Sequence, residues 1–120
     1  MTLTRELHHE AWDEYFDSLS RELLNSPVSI EIVSPDRPRT VEASRLALQA
    51  LSYDRRDDVF EVSAARGAPR LPSCLRHLVS HPTHVYVDSE TMLAPMTIAV
   101  DDGEGVRTVI TIEHDGAFSG

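Results

Sequence analysis

The 120-residue chain contains no lysine, one cysteine, five glycines and no long apolar run, and each scarcity removes a class of answer. With Cys74 alone, no internal disulfide can form, which fits a reducing compartment. Charged residues interrupt every stretch that approaches the roughly 18 apolar residues a membrane helix needs. Arg5, Glu6, Glu10, Asp13, Glu14 and Asp17 crowd the first twenty positions and leave no room for the apolar core of a signal peptide. The expectation is a soluble cytoplasmic protein with no membrane partner. All eleven basic residues are arginine, a bias read as codon usage in a GC-rich genome.

Hydrophobic residues make up 41% and charged residues 26%, a composition that can bury one core without staples, so a single domain over residues 1–120 is expected. The net charge is -9, which repels phosphate backbones, so nucleic acid is not an expected partner. The carboxylates are dispersed along the chain and form no stripe that could imitate DNA.

From Arg5 to Leu24, the residues Leu7, Ala11, Trp12, Tyr15, Phe16, Leu19 and Leu23 recur at helical spacing with acids between them. This predicts an amphipathic N-terminal helix, stopped near Ser26 by Asn25 and Pro27. The period then changes to two. Val28–Ser34 and Thr40–Ser44 read as one hairpin around Pro35 and Asp36, and Leu48–Tyr53 and Val59–Ala64 as a second around a charged turn, Asp54–Asp58. Residues 66–72 read as a surface loop. Ser73 then caps a predicted short helix carrying Cys74, Leu75, Leu78 and Val79, ended by Pro82. Three strands follow, His84–Asp88, Met96–Asp101 and Val106–Ile112, the last two joined by a tight turn with positive φ at Asp102 and Gly103. The fold class is α+β: the N-terminal helix packs on a strongly bent or partly closed antiparallel sheet of about six to seven strands, with one short helix before the last three.

The segments WDEYFDSLSREL, LALQALSYDRRDDVFEV and LRHLVSHPTHVYVD, with the turn Tyr53-Asp54-x-x-Asp57-Asp58 and the run His77-Leu78-x-x-x-Pro82, carry a resemblance. From about Glu10 to Ile112 the chain resembles the bacterial domain-of-unknown-function family numbered 5335, with Ala50 where that family has a glycine and a longer loop at Arg66 to Pro72. The resemblance implies no reaction, cofactor, partner or catalytic residue.

The metal-ligating candidates are Cys74, His77, His81 and His84, because a thiolate and imidazoles are the ligands zinc accepts. On the predicted helix the first three share a face, while Pro82 separates His84 from them. Their bland reading is a packed cysteine with capping or surface histidines, and that is the expected one. Asp54, Asp57 and Asp58 lack the spacing and glycine of a calcium loop and read as an exposed turn offset by Arg55 and Arg56. His8 and His9 point about 100° apart on a helix and read as solvated. A Cys74–His nucleophile lacks any local oxyanion geometry, and Trp12, Tyr15 and Phe16 read as core. No catalytic residue and no cofactor is assigned. The expected function is therefore a non-enzymatic interaction or regulatory module with exposed strand edges. The rival is a small-molecule or metal-binding domain around the short helix and the histidines after it. The run Val106–Ile112, poor in charge, is the expected edge for a two-fold homodimer.

Overall fold

The computed structural model describes residues 3–65, 74–89 and 96–113. In chain order it contains β1 (Leu3–Glu6), a single 3-10 turn (His9–Ala11), α1 (Trp12–Glu22), β2 (Pro27–Ser34), β3 (Arg37–Asp54), β4 (Val59–Ala65), β5 (Cys74–Ser80), β6 (Pro82–Ser89), β7 (Met96–Asp102) and β8 (Arg107–Ile112). The eight strands form one open sheet in the order β1-β6-β7-β8-β2-β3-β4-β5, and every pairing is antiparallel. The α+β reading holds, with one helix against a larger sheet than expected. No helix among the described residues is long and apolar enough to cross a membrane.

The N-terminal helix is shorter than its periodicity suggests. Leu3–Glu6 instead pair with Ser89–Tyr86, and the Leu7 amide continues that ladder by donating to Val85 O at 2.8 Å. The helix proper starts at Trp12, with Asp13 and Glu14 in its positive first turn. It ends as the sequence suggests, with Asn25 at φ 70° and Pro27 opening the next strand. Trp12, Phe16 and Leu19 are its buried face.

Two expected strands, Thr40–Ser44 and Leu48–Tyr53, are the halves of one 18-residue strand. Arg45 at φ 53° and the register shift between Leu48 and Ala50 bend it, so that the first half pairs with β2 and the second with β4. The free side of the second half is satisfied locally. Ser20 Oγ donates to Leu51 O and accepts from Leu51 N, both at 2.7 Å. Asn25 N donates to Leu48 O, and Leu48 N to Ser26 O. α1 is thereby hydrogen-bonded to the strand it packs on.

The predicted short helix is a strand. Leu75, His77 and Val79 face the interior while Arg76, Leu78 and Ser80 face outward, and the whole segment pairs with β4 from Val59↔Ser80 to Ala65↔Cys74. The period of two was hidden by a histidine at an inward position and a leucine, 52% exposed, at an outward one. Tertiary pairing overrides the local pattern here.

The expected edge at Val106–Ile112 is also corrected. β8 lies in the interior of the sheet between β7 and β2, and its β-branched run is what a strand paired on both sides carries. Among the described residues the sheet ends at β1 and β5.

Asp102 and Gly103 do not make the expected two-residue turn. Asp102 N donates to Val106 O at 3.0 Å, the Asp102 carboxylate accepts from the amides of Glu104 and Val106, and Gly105 takes φ +85°. This is a three-residue loop with its left-handed residue last. A Cβ on Gly105 would stand 3.3 Å from Pro35 Cγ, whereas one on Gly103 would meet only Thr83 at 3.9 Å. Gly105→Ala is therefore expected to cost about 1–2 kcal/mol and Gly103→Ala close to nothing, measured by urea unfolding.

Candidate functional site

β5 and its surroundings hold most of the residues singled out in the sequence. Arg76 lies on the outer face and donates through Nε and Nη2 to both Glu61 oxygens at 3.0 Å, a two-point contact that pins β5 to β4. Its neighbour His77 points inward, where Nε2 shares a hydrogen bond of 3.3 Å with the hydroxyl of Thr108, a residue 2% exposed. Burial holds the His77 pKa below its ordinary value of 6.5, with Glu42 opposing that shift.

The neutral form of His77 is thus the folded one. An unfolded chain takes up a proton near pH 6.5 while the folded chain resists it, so stability is complete above that pH and declines as the pH falls below it. His77→Gln should flatten the profile between the two pKa values, and unfolding midpoints at stepped pH check it. A profile unchanged by the substitution would show that His77 titrates alike in both states.

Beside β5 runs a groove of about 520 Å³. Its walls include Ile32 from β2, His77 and Val79 from β5, Thr108 from β8, and Glu104 and Val106 from the β7–β8 loop. No β4 residue lines it, and residues from both faces of β5 do, so the groove lies on the side of β5 that carries no strand partner among the described residues. Leu78 stands at its mouth.

The end of β5 is held by a second polar unit. Tyr53 OH donates to Asp58 Oδ1 at 2.6 Å, so its oxygen accepts from His9 Nε2–H at 3.0 Å. His81 Nδ1 donates to the other Asp58 oxygen at 3.1 Å, and the His81 amide donates to Asp58 O at 2.8 Å. Asp58 and His81 both adopt left-handed backbone, φ 56° and 54°. His81 is the single residue between β5 and β6, strands that do not pair with each other, so the chain turns a corner there. Burial and then the Asp58 contact push the Tyr53 pKa up to about 12, and the Tyr53 and His81 hydrogen bonds hold Asp58 below the usual carboxylate range. Trp12 meets Tyr53 edge-on at 5.1 Å. The unit ties the N-terminal segment, the β3–β4 turn and the β5–β6 corner together.

His77 and His81 both line the groove, whereas His84 does not, and instead donates through Nδ1 to Glu6 at 2.7 Å and stacks on Tyr86. Cys74 falls at the first position of β5, and its side chain lies outside the described residues. Among the described residues no three of His, Cys, Asp and Glu gather in an arrangement that could hold a metal ion. Sequence reading did not find Ile32, Glu104, Val106 or Thr108, which reach the groove from three other segments. It did isolate the two stretches that meet at Asp58, the Tyr53–Asp58 turn and the run from His77 to Pro82.

Comparison with known proteins agrees with the resemblance read from the sequence. An uncharacterised protein of Aquifex aeolicus (strain VF5) is 36% identical over 110 residues, covering 92% of each chain. No solved structure matches. Residues 3–118 match the family of unknown function DUF5335, and the chain belongs to that family.

Proposed function

We propose that the protein is a non-enzymatic interaction module that receives an extended segment of a partner protein alongside β5. The observation that supports this reading is the groove on the unpaired side of a sheet-edge strand. A strand with unpaired amides and carbonyls is a template for another strand, and a groove next to it gives alternate side chains of the guest a place to go.

The other open strand edges are guarded. β1 has only four residues, and the first half of β3 carries Pro38 and three arginines, Arg37, Arg39 and Arg45. The second half of β3 is occupied by Ser20, Asn25 and Ser26. β5 has seven residues, no proline and one ionised side chain, Arg76, already held by Glu61.

A small-molecule ligand is the second reading, and the His77–Thr108 pair supports it by placing an imidazole and a hydroxyl beside the apolar side chains of Ile32, Val79 and Val106. An amidated hexapeptide alternating valine and threonine, titrated at millimolar concentration and followed by amide chemical shifts, separates the two. Strand addition shifts the amides from His77 to His81 together with Val106 and Thr108. No shift along β5 would reject strand addition and leave the small ligand.

A further inference from the structure

Resting on that reading, we infer that the segment received at β5 is basic, with arginine or lysine alternating with small apolar residues. The groove supplies the reason. Its walls are aliphatic at Ile32, Val79 and Val106, which suits side chains of valine size on one side of a guest strand. Among the described residues its rim carries Asp102 and Glu104 and no arginine. The Asp102 carboxylate is engaged with the loop amides, while Glu104 is exposed and pairs with no cation among the described residues. His77 is held neutral by burial, so it does not oppose a cationic guest.

The whole chain carries a charge of -9, so a basic segment is also drawn to it over distance. A second copy of this chain meets the opposite condition, since two bodies of that charge repel. The groove thus discriminates among extended segments by charge, while the edge of β5 supplies the hydrogen bonds common to all of them.

The test uses the full chain and four amidated hexapeptides. They alternate valine with arginine, with threonine or with glutamate, and the fourth is the arginine peptide N-methylated on every backbone amide, so that neither of its edges can pair. The arginine peptide is expected to bind about tenfold more tightly than the threonine peptide at low ionic strength, with the advantage shrinking as salt is added. The glutamate peptide should bind more weakly still. N-methylation should abolish the shifts along β5 while leaving the charge intact, which distinguishes edge pairing from diffuse attraction to an acidic surface. Glu104→Lys should reverse the preference between arginine and glutamate, and because Glu104 sits in an exposed loop the variant should stay folded.

Equal affinity for the arginine, threonine and glutamate peptides would overturn the charge inference and leave the interaction reading standing. Binding of the N-methylated peptide as tight as that of its parent would overturn it too, by showing attraction without pairing. Failure of all four to shift β5 would overturn both.

Discussion

Trp12→Ala is expected to destabilise the fold by about 3–5 kcal/mol, the range for deleting a large buried aromatic side chain. The ring is 2% exposed and lies edge-on to Tyr53 at 5.1 Å and to His9 at 4.4 Å. Its Nε1–H donates to Leu7 O at 3.1 Å, at the point where the chain leaves the ladder with β6. Losing the ring removes support from both ends: α1 loses its first buried anchor, and the Leu7 carbonyl loses its donor. Trp12→Phe separates the two parts, since it keeps most of the apolar contact and removes the hydrogen bond, at an expected cost of about 1–3 kcal/mol. Chemical unfolding of the three proteins gives both numbers. Equal stability of wild type and Trp12→Ala would contradict the docking of α1 described above.

The second large effect is expected from Phe16 and Phe60. Both are fully buried, and their rings meet at 4.9 Å between the helix and β4. Each alanine substitution should cost about 3–5 kcal/mol. The double variant should lose less than the sum, by about 0.5–1.5 kcal/mol, because the ring–ring contact is counted in each single loss. Strict additivity would place the two rings in separate parts of the core. Since whole domains of this size are stable by only about 5–15 kcal/mol, the double variant is measured with added osmolyte.

What could be read from the sequence divides along the range of the interactions involved. The buried face of α1, the strand at Val28–Ser34, the Asp54–Asp58 turn and the final three strands follow from period, turn chemistry and helix-stop residues, all local signals. Errors came where a distant partner decides. Leu3–Glu6 became a strand because β6 offered an edge, and Cys74–Ser80 became one because β4 did. β3 looks like two elements in the sequence because Arg45 bends the strand without breaking it. The place of β8 has a related cause: an uncharged β-branched run suits a strand paired on both edges as readily as one at the border of the sheet, and only the strand order decides.

The candidate site follows the same division. His77 and His81 stood out as a spacing, and the structure places both on the groove while giving each a different partner, Thr108 and Asp58. Thr108 and Ile32 gave no signal, since a threonine and an isoleucine in strands are ordinary residues until the sheet brings them opposite β5. Glu104 carries no local signal that sets it apart from the other acids of the chain. Its position on the rim depends on the β7–β8 loop, whose shape rests on Gly105 and the Asp102 carboxylate.

Amide hydrogen exchange along Cys74–Ser80 tests most directly whether β5 is an open edge that accepts a strand. In an edge strand, alternate amides face the neighbouring strand and the others face outward, so the free protein should show slow and fast exchange in alternation along β5. Saturation with the valine–arginine peptide should slow the fast set and leave the slow set unchanged. Uniformly slow exchange along β5 in the free protein, or a fast set unaffected by the peptide, would contradict the account.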